Sequence, residues 1–338
     1  MTDTLSQLRI CVQKPLPHEE DQLKKIQNAS NSGYHFEKLS AAFFVKKLWK
    51  NNSTIKISFN PSSNKKKSVH WTPLAVLESQ RNNDGSPVKL DPIEYEIRKL
   101  SPEEAVKKIV KERIELIVNL NFEFVENNGD VRISFDPDKG AYSLLGTDCL
   151  YSKDETTMNL GWLDAATIIH EFGHVLGLIH EHQNPVGSES IDWNKQVYKW
   201  ANETQGWDHD TTYHNILQKY DRNQLNASNF DPKSIMLYFF PPELTNNHKG
   251  TNNNKRLSKE DVEYISKMYP GGKMSPSQFY QEAYRESISG SLFSMKKFLI
   301  LLGILVLIFV VFVVVRFFIK KRKTSGRRYY ENYSQWKK

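Results

Sequence analysis

Residues 170–180 read His-Glu-Phe-Gly-His-Val-Leu-Gly-Leu-Ile-His, a stretch of the form H-E-x-x-H-x-x-G-x-x-H. On a helix, His170 and His174 leave the same face one turn apart. Two imidazole nitrogens at that spacing can share one Zn2+ at about 2.0–2.1 Å each. Glu171 is displaced around the helix from both, where it can stand beside the metal and act as a base toward water. Gly177 permits a positive φ, so the helix can end there and the chain can turn beneath it, bringing up His180 as a third ligand. Three protein nitrogens leave a fourth position open, which is the catalytic kind of zinc site. Neither Cys11 nor Cys149 stands in a metal-binding pattern, and together they allow at most one internal disulfide.

Positioning these groups requires a buried helix. Ala165, Ala166, Ile168, Ile169, Phe172, Val175, Leu176 and Leu178 surround the candidate ligands, which suits a helix at the floor of a cleft. Upstream, residues 54–59 alternate and read as a half-buried strand. The stretch 60–90, with Lys65-Lys66-Lys67 and Asn82-Asn83-Asp84-Gly85, reads as loop-rich. Ser101-Pro102-Glu103-Glu104 opens a second helix through a capping box, and Val106, Ile109, Val110, Ile114 and Ile117 carry its apolar stripe to about Asn119. Phe122–Phe124 and Val131–Phe135 read as strands around the turn Asn127-Asn128-Gly129-Asp130. The order implies an α+β fold, a twisted sheet backed by two long helices.

Downstream of a turn at Asp231-Pro232 comes Ser234-Ile235-Met236-Leu237-Tyr238. Beside the long histidine motif this looks like the Met-turn of the metzincin metallopeptidases. Within them the chain resembles the astacin family. The resemblance rests on the zinc stretch continued as His180-Glu181-His182, on Ser234, Met236 and Tyr238, on Gly146-Thr147-Asp148 with Thr157-Met158-Asn159, and on Leu257-Ser258, Asp261, Ile265 and Met268-Tyr269-Pro270. It covers roughly residues 40–270.

The resemblance implies a metzincin-like catalytic domain with an irregular C-terminal half below the cleft. It implies one Zn2+ per chain, held by His170, His174 and His180, with Glu171 as general base. Tyr238 would be a further ligand at rest or a donor to the oxyanion, and Met236 a packing residue beneath the metal. An edge strand before the zinc helix would pair with extended substrate, and Ala141–Leu145 is the candidate; a plain core strand is the other reading of that segment. After His182 the chain runs Gln183-Asn184-Pro185, as in microbial members rather than the best-known secreted ones. In the secreted members the Glu after the third His meets a freed N-terminus. No propeptide aspartate is recognisable here, so that role is not carried over to Glu181.

The formal net charge is +7, but residues 316–338 hold nine Lys or Arg against one Glu, leaving about −1 for the rest. The basic charge is therefore a tail, and no nucleic-acid partner is expected. No signal peptide is expected at residues 1–17. Phe298 to Val315 is an uncharged apolar run of 18 positions, about 27 Å as a helix, extended by Phe317-Phe318-Ile319 if Arg316 snorkels. The expected organisation is an N-terminal extension (1–39), the peptidase domain (40–270), a linker or stalk (271–297), a transmembrane helix in the lipid bilayer (298–319) and a basic tail (320–338). Lys and Arg are denser after the span than before it, so the expected topology is single-pass, with a cytosolic tail and an exoplasmic or lumenal domain; a tail-anchored protein with a cytosolic peptidase domain is the other reading. The expected function is zinc-dependent hydrolysis of protein or peptide substrates. The alternatives are a membrane-anchored, non-catalytic adhesion or decoy protein that keeps the fold, and a metal-dependent hydrolase of non-peptide bonds.

Overall fold

The structure, a computed structural model, describes residues 43–60, 69–153, 155–220, 225–226 and 229–284, together with Gly303 and Arg316. The chain divides into two units, residues 1–283 and 284–338. The N-terminal extension with Cys11, the apolar run at 298–319 and the basic tail lie outside the described residues, apart from the helical Gly303 and Arg316. Among the described residues no helix is long and apolar enough to cross a membrane.

The first unit is built on a five-stranded sheet. A short strand β1 (Phe43–Phe44) precedes β2 (Thr54–Phe59), and β3 (His70–Trp71) follows. Helix α1 (Leu74–Ser79) and α2 (Ile93–Ile97) lead to α3 (Pro102–Ile109), which loosens into a π-helical turn at Val110–Ile114. Strands β4 (Asn121–Phe124), β5 (Val131–Ser134), β6 (Ala141–Ser143), β7 (Met158–Leu160) and β8 (Trp162–Leu163) come next, and then the motif helix α4 (Ala165–Val175). The sheet order is β4-β2-β5-β7-β6. All neighbours are parallel except β6, which lies antiparallel to β7 at the edge.

Sequence pattern explains the layering. Ile55 and Ile57 of β2 point inward, while Thr54 and Lys56 are exposed. Ser101 and Glu104 form the reciprocal cap that starts α3, with Pro102 at its first position. Ala105, Val106 and Ile109 of α3 share one core with Ile55, Ile57, Ile133 and Leu160 of the sheet and with Ile168, Ile169 and Phe172 of α4. Fully burying one of the Val, Leu, Ile or Phe side chains among them stabilises the fold by roughly 1.5–3 kcal/mol.

Below α4 the chain is less regular. It holds α5 (Gln196–Gln205), α6 (His209–Thr212), β9 (Leu225–Asn226) paired with β1, and α7 (Lys259–Met268). The fold is thus the expected α+β arrangement, with an ordered sheet half and an irregular half.

Two expectations need correction. The region read as loop-rich contains α1, whose Leu77 is buried. Within the segment read as a linker or stalk, 271–297, Pro276–Ala283 forms helix α8, which buries Phe279 in the main core, and residues 285–297 lie outside the described residues. Ser275 and Gln278 cap it reciprocally: Gln278 Oε1 accepts from the Ser275 backbone N–H at 3.1 Å, and Ser275 Oγ accepts from the Gln278 N–H at 3.4 Å.

Candidate active site

Both ends of α4 are anchored by side chains. At its start, Asp164 accepts the Thr167 N–H at 2.9 Å and Glu94 accepts the Ala165 N–H at 2.6 Å. Two acceptors there satisfy orphan donors and suit the positive end of the helix. Burial, and then the Asp164 charge, push the Glu94 carboxyl up to about 7, against the opposing pull of the Ala165 N–H and of its Arg98 partner. At the other end Gly177 takes φ 95°. The Gly177 N–H donates to the His174 carbonyl at 2.8 Å and the Leu178 N–H to the Gly173 carbonyl at 3.0 Å, a Schellman closure. Trp49 Nε1 donates to the Val175 carbonyl and the Tyr269 hydroxyl to the Leu176 carbonyl, both at 2.7 Å. These bonds fix the helix end and the sharp exit toward His180.

The structure brings His170, His174 and His180 together, with one ring nitrogen of each lying within 4.8 Å of the others. Their tautomers follow from their partners. His170 Nδ1 lies 2.9 Å from the Ile235 carbonyl and His174 Nδ1 2.8 Å from the Leu178 carbonyl. A carbonyl oxygen only accepts, so each Nδ1 carries the proton and each Nε2 presents its lone pair. His180 Nδ1 faces Gln183 Oε1 at 3.4 Å. Gln183 is oriented because its Nε2 donates to the His214 carbonyl at 2.7 Å and to the Gln218 carbonyl at 3.2 Å.

His174 Nε2 and His180 Nε2 then stand 3.0 Å apart with no proton between them. His170 Nε2 is buried and has no hydrogen-bond partner among the described residues. Burial pushes the His170 imidazole down to about 4 and the His174 imidazole to about 3, and carries His180 well below its ordinary value. Three neutral imidazoles with converging lone pairs and Nδ1–H bonds to acceptors fit a zinc ion.

The other candidate residues surround this cluster. Glu171 follows His170 on α4 and is fully buried. The Tyr238 ring centroid lies 4.2 Å from that of His180, 4.7 Å from His182 and 5.8 Å from His170. Met236 is fully buried beneath the helix. A Cβ on Gly173 would lie 2.5 Å from Met236 Sδ, so the absence of a side chain at Gly173 admits the methionine. The Ile235 carbonyl that orients His170 belongs to the same turn, and this turn is itself held from α7. Asp261 accepts the Ser234 hydroxyl at 2.7 Å and the Ile235 N–H at 2.9 Å.

Glu181 finds its partners in the loops. Its Oε1 accepts from Asn184 Nδ2 at 3.1 Å and from the Asp231 N–H at 2.8 Å, while its own N–H donates to the Met236 carbonyl at 3.0 Å. Burial holds its carboxyl well above the ordinary carboxylate range. Ala141–Ser143 of the candidate Ala141–Leu145 segment forms the sheet edge. Cys149 is a buried free thiol that burial pushes up to about 12.

Sequence reading did not identify Trp49, Glu94, Gly173 or Gln183 as positioning groups. Each acts on a backbone group or on a side chain brought close by the fold. For Gly173 alone a signal was available, a glycine inside a helical pattern that asks for a close approach.

The geometry agrees with comparison to known proteins. The family model for astacin, a family of peptidases, matches residues 88–270. "Astacin-like metalloprotease toxin 1" of Loxosceles intermedia is 30% identical over 97 residues, which is 29% of this chain and 33% of that protein, so the chain spans about a third of its length. A solved structure of myroilysin is 28% identical, covering 68% of this chain and 99% of that chain, with a TM-score of 0.52. A second myroilysin structure is 25% identical over 78% of this chain and 100% of its own, with a TM-score of 0.41, and adds no weight. The three-histidine cluster at the end of the motif helix, the methionine turn beneath it and the match over residues 88–270 place the chain in the astacin family of peptidases.

Proposed function

We propose that this chain is a zinc-dependent endopeptidase. The observation that carries the reading is the convergence of three buried, neutral imidazoles, each with Nδ1 directed at an acceptor: His170 and His174 from the helix that also carries Glu171, and His180 from the chain that leaves it. His170, His174 and His180 would hold the ion through Nε2. When bound, zinc supplies Lewis-acid chemistry, polarising a carbonyl and making water more acidic.

The remaining work falls to the chain's own residues. The Glu171 carboxylate accepts the proton of the attacking water and returns it to the leaving amine nitrogen. The Tyr238 hydroxyl donates to the oxyanion that forms as the scissile carbonyl becomes tetrahedral. Edge strand β6 offers its outer backbone groups to an extended peptide, adding a strand and fixing the scissile bond's direction. The Ile235 and Leu178 carbonyls keep His170 and His174 in the ligating tautomer.

The same proposal includes a single-pass anchor at residues 298–319 with a cytosolic basic tail and an exoplasmic or lumenal domain. The uncharged apolar run and the excess of Lys and Arg after it support this.

A peptide library incubated with the full chain, with and without chelator, tests the activity. Cleavage within peptides that stops on chelation and returns with zinc is the expected result. No cleavage by the zinc-loaded chain, or cleavage unaffected by chelator, contradicts it. Protease protection on sealed, cytosol-out vesicles tests the topology, and the catalytic domain is expected to be protected while the tail is digested.

A further inference from the structure

The hairpin around Asn83 lies before the residues matched by the family model, which begin at 88, yet it reaches the segment that carries Tyr238. The Asn82 N–H donates to the Ser86 carbonyl at 2.9 Å, which closes the hairpin tip. From this tip Asn83 Nδ2 donates to the Lys249 carbonyl at 2.7 Å and the Thr251 carbonyl at 2.9 Å, with a longer contact of 3.4 Å to the Phe240 carbonyl. One amide group thus gathers three backbone oxygens.

The gathered loop is also held locally, by Lys249 and Gly250 N–H bonds to Thr245 Oγ1, and its Thr251 reaches the segment that carries Tyr238. The Thr251 N–H donates to the Phe240 carbonyl at 2.9 Å. Thr251 Oγ1 accepts the Phe240 N–H at 2.7 Å and donates to the Tyr238 carbonyl at 2.5 Å. Thr251 therefore brackets the backbone of Tyr238–Phe240 from both sides. The approach is too close for a side chain at Gly250, whose φ is 59°: a Cβ there would meet the Phe240 carbonyl oxygen at 2.2 Å and Asn83 Nδ2 at 2.5 Å. The same hairpin also meets the following residues, because the Asn253 N–H donates to Asn82 Oδ1 at 3.3 Å. Further along, Asn254 Nδ2 donates to the Ser234 carbonyl at 2.8 Å, inside the methionine turn.

We infer that Asn83 is a positioning residue for Tyr238: the hairpin from the sheet half clasps the loop at 249–251, and through Thr251 sets where the Tyr238 ring stands over His180. The chemistry requires an amide. A group facing three carbonyl oxygens must donate, and only a side chain with two N–H bonds on one atom satisfies more than one of them at this length. Aspartate has the same shape but places a carboxylate against carbonyl oxygens, so shape alone does not suffice. The consequence for catalysis rests on the reading of Tyr238 as oxyanion donor given above, whereas the consequence for the ring's position does not.

The test therefore has two parts, both on the full chain. In the first, 3-fluorotyrosine is placed at position 238 and its 19F resonance is recorded with and without zinc. Asn83→Ala and Asn83→Asp are both expected to shift, broaden or split the resonance, with zinc and without it. An unchanged resonance in both variants overturns the clasp.

In the second part, Asn83→Ala and Asn83→Asp are combined with Tyr238→Phe. If the asparagine acts through the tyrosine hydroxyl, either change lowers kcat by about tenfold or more with little change in KM. In the Tyr238→Phe background the same change has less than about a twofold further effect. Equal losses in both backgrounds overturn action through Tyr238. Should Tyr238→Phe be silent by itself, the oxyanion reading fails and the 19F result alone decides the clasp.

Discussion

The two halves of the molecule are held by different bonds. In the sheet half, parallel ladders join β4, β2, β5 and β7, and the core fills from alternating strand residues and two helix stripes. In the half below the motif helix, the turns that carry chemistry are held mostly by side chains bonded to backbone groups. Asp261 holds Ser234 and Ile235, Glu181 holds Asp231, and Thr251 holds Tyr238 and Phe240. The first half fixes where α4 lies mainly by burying area, with Glu94 and Trp49 holding its two ends. The second fixes where single atoms lie, such as the Ile235 carbonyl against His170. A substitution in the second half should therefore disturb the site well beyond its volume, while one in the first should act mainly through stability.

The largest expected effect comes from removing Asp261. Asp261→Ala leaves the Ile235 and Ser258 N–H groups and the Ser234 hydroxyl without the acceptor they share. Each buried group so stranded costs about 1–3 kcal/mol, so urea unfolding should show a loss of about 3 kcal/mol or more. Zinc affinity should fall with it, because the turn that orients His170 is released. A variant as stable as the parent would show that the turn is held by packing instead.

A smaller effect is expected where the halves meet. Gly173→Ala drives a methyl group against Met236 Sδ. Overpacking of this kind costs about 1–3 kcal/mol. Shortening the methionine in the same chain should recover part of the loss, which thermal unfolding of the single and double variants would measure. Additive losses would place the strain elsewhere.

The last effect concerns pH and sharpens the view of the sheet half. Glu94 rises from 4.5 to about 7 in the folded chain. Between these values the folded state binds more protons than the unfolded one, so its contribution to stability is fully present below about pH 4.5 and is lost as pH rises through about 7. Glu94→Gln should flatten the fall in stability between about pH 5 and 7, which paired denaturant titrations would show. An unaltered slope would assign that window to other groups, Asp261 among them, which burial and then Asp231 raise to about 6.

The same contrast explains what the sequence could tell. The motif helix, the capping box at Ser101, strand β2 and the strands at 121–134 were legible because periodicity and caps act over a few residues. Helix α8 was legible in principle, since Ser275-Pro276-Ser277-Gln278 repeats the signature of Ser101-Pro102-Glu103-Glu104, but a Gly-Gly pair and polar neighbours suggested a stalk. Helix α1 is short, and its start at Pro73 carries no side-chain cap bond to announce it. Apart from Gly173, the groups that position the site were not legible as such. Trp49 acts on a carbonyl 126 residues away and nothing local marks it, while Tyr269 stands in a stretch that carries the family resemblance but gives no sign of the carbonyl 93 residues away that it holds.

In the proposed function Glu171 moves the proton while the three histidines hold the metal. Glu171→Gln is the direct test, read as zinc per chain by metal analysis beside peptidase kcat/KM on one peptide. The expected result is one zinc retained with kcat/KM reduced by at least about 10²-fold, because the base is gone and the ligands remain. Glu171→Gln protein that binds zinc and cleaves as fast as the parent would contradict the account.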